Sequence, residues 1–329
     1  MPPEDICILG TGQMAVTCAT LLCDNGHRVR LLGLPDQVEH LRRARQSPHM
    51  PGVPLPEAAE PTADAAALAE ADLVVCAIPM QVIGQVLGAH REAGVRIAGA
   101  VVSCAKGVEL RTMRRPSQVI AESAGVNAVA VLSGPNIAAE VVQRKPAGAV
   151  VACEDEALAS RVRQAFATSY FRVYTNRDVV GVELAGALKN VIALAAGIID
   201  GLALGNNAKA SLITRGIVEI SRLGVSLGAQ IETFYGLAGL GDLITTCVSP
   251  EGRNRTVGEA VGRGRPLQQV LDELGSVCEG VPTTRAVHEL AQRQGVEMPI
   301  LESVYQVLFE GKPVREAILE LMTREPRSE

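Results

Sequence analysis

Several features that would assign a chain to a class at once are missing here. There is no C-x-x-C pair among the eight cysteines Cys7, Cys18, Cys23, Cys76, Cys104, Cys153, Cys247 and Cys278, and only five histidines stand among 329 residues. Scattered thiols inside apolar runs suit neither a metal cluster nor a dithiol redox centre. They read as free thiols of a reducing compartment, and no metal site is expected. The opening Met1-Pro2-Pro3-Glu4-Asp5 has no basic n-region before the apolar Ile6-Cys7-Ile8-Leu9, so no signal peptide is expected. No uncharged spanning segment occurs either. The most apolar long stretch, Val179 to Leu204, carries Glu183, Lys189, Asn190 and Asp200, each costly in lipid, and reads as a buried helix. A net charge of −5 supplies no bulk basic field for nucleic acid, so an anionic ligand must be met locally. Internal repeats and low-complexity tracts are absent, apart from a short polar tail from Arg324 to Glu329.

What is present is a globular composition, 47% hydrophobic and 20% charged, in a chain long enough to bury roughly three quarters of its unfolded surface. The first half alternates short Val-, Ile- and Ala-rich runs with helix-length patterns, as a mainly parallel sheet wrapped by helices requires. Strands are expected at Ile6–Leu9, Val29–Leu32, Leu73–Ala77, Ala100–Ser103, Ala128–Leu132, Ala149–Ala152 and Arg172–Tyr174. Five prolines (Pro48, Pro51, Pro54, Pro56 and Pro61) should make the stretch Arg45 to Pro61 an irregular surface excursion. After Tyr174 the strand signal ends. The pattern is helical from Val179, broken by the glycine-rich Gly236–Gly241, a loop at Ser249–Arg253 and a turn at Gly280–Thr284. This shift places a domain boundary near Asp178.

The sharpest local signal is Gly10-Thr11-Gly12-Gln13-Met14-Ala15, which follows an apolar strand and opens a helical pattern. In that context Gly10 permits a tight turn, Gly12 lets backbone approach a pyrophosphate, and small Ala15 lets helix and strand pack closely. The helix N-terminus then faces the anion. A plain glycine turn without ligand is the alternative. The expected fold is thus α/β: an N-terminal Rossmann-like dinucleotide-binding domain over residues 1–178, then an all-α substrate domain over 179–329. An acid at the end of the second strand would favour NAD and an arginine NADP. Leu32-Gly33-Leu34-Pro35-Asp36 offers neither, which leaves the preference open.

Dehydrogenation of an alcohol needs a group to take the hydroxyl proton. His27, His40, His49, His90 and His288 lie in turns, polar surroundings or on helix surfaces, outside any catalytic-looking constellation. Lys189 stands instead in the apolar window Leu184-Ala185-Gly186-Ala187-Leu188-Lys189-Asn190-Val191, where desolvation favours the neutral amine that a general base needs. The alternative is a lysine reaching to the surface from a helix edge. Asp242, after the small residues Gly236 to Gly241, could orient that lysine, or could cap the helix that starts at Leu243. Arg253-Asn254-Arg255 follows a loop, and planar guanidinium groups suit bidentate phosphate recognition, although a surface charge cluster would look the same.

With these residues assembled, the chain resembles the soluble bacterial NAD(P)-dependent glycerol-3-phosphate dehydrogenases over nearly its full length. The resemblance is carried by Lys106-Gly107-Val108-Glu109, Leu132-Ser133-Gly134-Pro135-Asn136-Ile137-Ala138-Ala139-Glu140, and Glu183 through Val191. Gly239-Leu240-Gly241-Asp242-Leu243, Arg253-Asn254-Arg255, Glu279-Gly280-Val281 and Glu297-Met298-Pro299-Ile300 continue it. It implies interconversion of sn-glycerol 3-phosphate and dihydroxyacetone phosphate by hydride transfer with NAD or NADP, supplying glycerol 3-phosphate for phospholipid synthesis in the cytoplasm. Lys189 would be the proton acceptor, with Asp242 and Thr246 beside the reacting carbinol. Lys106 would contact cofactor and substrate, Gly134 and Asn136 would line the substrate, and Arg253 and Asn254 would hold its phosphate. Gly10, Gly12, Gln13, Met14, Ala15, Ala138, Arg253, Val277 and Glu279 would border the dinucleotide. The expected partners are small molecules, with no nucleic acid and no membrane, and a homodimer is admissible. The family usually has Ser or Thr where Asn136 stands, Phe at Ile137, Ser at Gly252 and a basic residue at Leu34.

Two other readings compete. One is an enzyme of the same architecture acting on another hydroxy acid or ketone, as the β-hydroxyacid dehydrogenases and ketopantoate reductases do. The other is a dinucleotide sensor without chemistry, against which Lys106, Lys189, Asp242 and Arg253 argue together, since a sensor needs no proton acceptor.

Overall fold

The computed structural model describes residues 2–274 and 277–325. It divides into two compact units. One comprises Met1–Lys106 and Arg114–Glu183, the other Gly107–Met113 and Leu184–Glu329.

The first unit is built on eight strands: β1 (Asp5–Leu9), β2 (Arg28–Leu32), β3 (Ala59–Thr62), β4 (Leu73–Cys76), β5 (Ala100–Ser103), β6 (Val129–Ser133), β7 (Ala147–Ala152) and β8 (Phe171–Asn176). They form one sheet in the order β3-β2-β1-β4-β5-β6-β7-β8. All pairings are parallel except β6 with β7. The first six strands therefore have the order of a doubly wound dinucleotide fold, in which β1 and β4 flank the crevice where the connections change side. Successive side chains of a strand point to opposite faces, so both faces must find cover. Ile6 and Ile8 of β1 pack with Val16, Ala19 and Leu22 of the helix Gln13–Asp24. Cys7 and Leu9 face the opposite layer with Leu68, Leu87 and Ile120. Burial on both faces explains why these strands read as unbroken apolar runs.

The proline-rich segment departs from expectation. Its end forms β3, paired through Pro61 with Leu31, because an edge strand uses only one side of its backbone and tolerates a missing N–H. The rest is not simply a surface excursion, since Met50 and Leu55 are buried in the sheet's core and the buried Ser47 hydroxyl donates to Thr11 O at 2.8 Å. Arg45 folds back to donate to Ala59 O and Pro56 O at 3.2 and 2.6 Å.

The described residues of the second unit form no strand. Its principal helices are the greater part of Val179–Gly201, then Gly205–Ser226, Asp242–Val248, Arg253–Gly262, Leu267–Leu274, Gly280–Gln294, Pro299–Phe309 and Val314–Thr323. Gly280–Thr284 is thus the first turn of a helix rather than a separate turn, and Arg253 opens a helix rather than closing a loop. Glycine-rich Leu237–Gly241 forms a π-helical turn, with Gly241 N donating to Gly236 O at 3.1 Å. The helix Val179–Gly201 is long and apolar enough to cross a bilayer, but 94% of its most apolar window is buried inside the protein, as in a core helix. All eight cysteines are free thiols, and all but Cys23 are buried.

Candidate active site

In the first unit the glycine fingerprint links β1 to the helix Gln13–Asp24. Gly10 has φ +129°, which L side chains rarely adopt, and a Cβ there would lie 2.7 Å from Ala77 O. A Cβ on Gly12, by contrast, would point into open space at the helix N-terminus. The first intrahelical bond runs from Val16 N to Gly12 O at 3.1 Å, so the amides of Gln13, Met14 and Ala15 precede the ladder. No acid sits in that first turn. A concave backbone with amides and a helix dipole directed at it fits a pyrophosphate. Ala15 is wholly buried against the sheet, while Gln13 is exposed and Met14 half-buried.

At the end of β2 neither Gly33 nor Leu34 carries a charge, and Leu34 is exposed. A Cβ at Gly33 would lie 2.4 Å from Thr11 Cγ2, so that position admits no side chain without a shift. Thr11 is itself held, its hydroxyl donating to Gln37 Oε1 at 3.0 Å. Of three nearby arginines, Arg42 donates to Pro61 O at 3.1 Å and Arg45 holds two carbonyls, while Arg43 is exposed. Further along the sheet, Lys106 Nζ donates to Gly134 O at 3.1 Å. With its amide turned so that the nitrogen faces the carbonyls, Asn136 Nδ2 donates to Gly148 O at 3.1 Å, and Ala138 opens the short helix Ala138–Val142.

In the second unit Lys189 does not reach the surface. It is 5% exposed, and its ammonium donates to Asp242 Oδ1 and to Thr246 Oγ1, both at 2.5 Å. Asp242, 2% exposed, is the first residue of Asp242–Val248 and spends its carboxylate on Lys189 rather than on a helix cap. Thr246 lies one helical turn later and also donates to Asp242 O at 2.7 Å, which fixes its hydroxyl beside the amine. The surroundings are dry: burial pushes the neighbouring Cys247 thiol up to about 12, against which the Lys189 cation acts only in part. A buried ammonium with a carboxylate and a hydroxyl is a device for holding and passing one proton.

Arg253 is the exposed first residue of Arg253–Gly262 and donates to Val277 O at 2.9 Å. Asn254 is buried. Its Nδ2 donates to Asn190 Oδ1 at 2.9 Å, while its Oδ1 accepts from Gly280 N at 2.9 Å and Cys278 Sγ at 3.1 Å. Glu279, just before the helix Gly280–Gln294, is half-buried. The sequence motifs contained Asn190 without assigning it a task. The signal was available, for an amide in an otherwise apolar helix needs a partner.

A doubly wound sheet bearing this fingerprint, with a helical unit bearing a buried lysine, defines a dinucleotide-dependent oxidoreductase. The chain belongs to the NAD-dependent glycerol-3-phosphate dehydrogenase family: the family's N-terminal model matches residues 5–159 and its C-terminal model residues 178–319. The glycerol-3-phosphate dehydrogenase (NAD(P)+) of Geobacter sp. strain M21 is 46% identical over 332 residues, covering 99% of each chain. That of Streptomyces griseus is 46% identical over 335 residues, covering 99% of this chain and 98% of the relative. The crystal structure of glycerol-3-phosphate dehydrogenase from Coxiella burnetii superposes with TM-score 0.93 at 34% identity, covering 98% of this chain and 99% of that one.

Proposed function

We propose that the chain interconverts sn-glycerol 3-phosphate and dihydroxyacetone phosphate with NAD or NADP, residues 1–178 serving the dinucleotide and 179–329 the substrate. The observation that carries this reading is the buried Lys189–Asp242–Thr246 cluster in the unit that also presents Arg253. The bound nicotinamide supplies or removes the hydride at the substrate's central carbon. In the direction of reduction, the Lys189 ammonium gives its proton to the ketone oxygen as that oxygen becomes a hydroxyl. In oxidation the neutral amine takes the hydroxyl proton back, and Asp242 and Thr246 hold the amine in place for both.

The phosphate is assigned to Arg253 and to the N-terminus of Arg253–Gly262, which has no acid in its first turn. The Asn254 side chain already has three partners, so its contribution would come through the backbone amide or the second Nδ2 hydrogen. Lys106, Gly134, Asn136 and Ala138 from the first unit are assigned to substrate and cofactor as the family resemblance implies. Gln13, Met14, Val277 and Glu279 are assigned to the dinucleotide border on the same ground. This reading includes a cytoplasmic location, a role in phospholipid supply and, as an admissible assembly, a homodimer that light scattering tests. The deciding experiment compares initial rates with dihydroxyacetone phosphate and with unphosphorylated dihydroxyacetone. Equal turnover of the two would reject the phosphate substrate and favour a hydroxyacid or ketone reductase.

A further inference from the structure

The helices Val179–Gly201 and Arg253–Gly262 touch backbone to backbone. A Cβ on Gly258 would lie 2.0 Å from Leu194 O, and one on Gly262 would lie 2.6 Å from Ile198 O. From the other side, a Cβ on Gly197 would lie 2.0 Å from Arg255 O, and one on Gly201 would lie 2.3 Å from Glu259 O. The Asn190–Asn254 bond joins residues 64 apart, and the same spacing recurs in Leu194 with Gly258 and in Ile198 with Gly262. The opposite pairs, Gly197 with Arg255 and Gly201 with Glu259, keep a constant spacing of 58, so the helices run parallel and the turn bearing Lys189 lies within about one turn of the level of Arg253. Glycines fix the separation of two helices but offer no side chains to resist rotation of one on the other.

That restraint comes from the Asn190–Asn254 bond at the seam and, on its flank, from Asp200. Its Oδ1 pairs with Lys209 Nζ at 2.5 Å and its Oδ2 with Arg255 Nε at 2.6 Å, with all three side chains less than a fifth exposed. Asn254 faces the seam, and at about 100° per residue Arg255 lies on one flank and Arg253 on the other. Rotating the helix to free Arg255 would swing Arg253 by the same angle. We propose that Asp200 is a positioning residue for the phosphate end of the substrate: by holding Arg255, it fixes how Arg253 is presented relative to Lys189. The inference rests on the reading that Arg253 takes the substrate phosphate.

The test is steady-state kinetics with dihydroxyacetone phosphate, NADH affinity by fluorescence, and a thermal midpoint for each variant. Arg253→Ala comes first. If it leaves KM unchanged, the phosphate reading fails and this proposal fails with it. Asp200→Asn is expected to raise KM about tenfold, roughly 1.4 kcal/mol, with kcat and NADH affinity close to wild type. Asp200→Glu should recover part of the loss, since it restores the charge. Arg255→Lys, which keeps the charge but loses Nε, gives a second route should Asp200→Asn not fold, and it should show the same split. The double variant Asp200→Asn/Arg255→Lys should be no worse than the worse single variant, because both act through one contact. Unchanged KM in Asp200→Asn and Arg255→Lys, alongside a raised KM in Arg253→Ala, overturns the proposal. So does a uniform fall in kcat and midpoint without the KM split, which would show a structural role only.

Discussion

Glu219 should make the stability of this protein fall as pH rises toward neutrality. It lies on the helix Gly205–Ser226, is 4% exposed, and accepts from Ile300 N and Leu301 N, both at 2.9 Å, at the start of Pro299–Phe309. Burial pushes its carboxyl up from 4.5 to about 7, outweighing the two backbone bonds that favour the anion. The folded state therefore keeps a proton between pH 4.5 and about 7 that the unfolded state has released. Stability is highest below that window, declines across it and levels off above. At about 1.36 kcal/mol per pH unit, the full decline is roughly 3 kcal/mol. Glu219→Gln keeps the shape and removes the titration, so variant minus wild type should shift in the variant's favour by most of that amount between about pH 5 and about pH 8. For a chain of this length, with an unfolding entropy of about 2.1 cal/mol/K per residue, that is on the order of 4 °C in the difference between midpoints. Scanning calorimetry of both proteins across the range cancels every other titrating group. Parallel curves would show that Glu219 stays ionised in the fold and that desolvation does not win.

Three further outcomes follow from the site. Lys189→Ala should lower kcat at least about a hundredfold while NADH affinity, read by fluorescence, stays near wild type; retention of more than about a tenth of the rate would reject the proton-transfer role. Because that variant leaves Asp242 buried without the amine, its midpoint should also drop. Arg253→Ala should raise the KM for dihydroxyacetone phosphate at least about tenfold, and Arg253→Lys should recover only part, since a point charge cannot replace the guanidinium fork. Cofactor choice should be loose, because Leu34 offers no arginine, the strand end offers no acid, and both Arg42 and Arg45 are committed to carbonyls. A preference above about a thousandfold between NADH and NADPH, on the order of 4 kcal/mol, would reveal a selective contact elsewhere.

Much of the fold was legible because its signals are local. The central strands announce themselves as apolar runs, since a parallel sheet is buried on both faces. The turn from Gly10 to Ala15 is recognisable because each small residue answers a constraint within a few positions. β3 was not legible, because an edge strand escapes the rule that excludes proline from sheets, and only pairing with β2 shows which side of its backbone is used. The start of Gly280–Gln294 was hidden for a related reason. Gly280 looks like a turn residue, but it is small because Asn254 Oδ1 lies 2.8 Å from where a Cβ would stand.

The site divides in the same way. Sequence alone determined that Lys189 is out of place in an apolar helix, and that an acid and a cluster of arginines stand ahead of it in the helical half. It also determined the family, through the ordered motifs that carry these residues. Only the tertiary structure decided that Asp242, 53 residues from Lys189, is its carboxylate partner, and that Asn190 is what holds Asn254. It alone showed that four glycines on two helices are one parallel seam, and that Asp200 restrains the arginine helix beside it. The reason is physical. Periodicity and turn chemistry act over a few residues and leave a mark in the chain, whereas contacts between distant residues depend on which faces pack together and in what register.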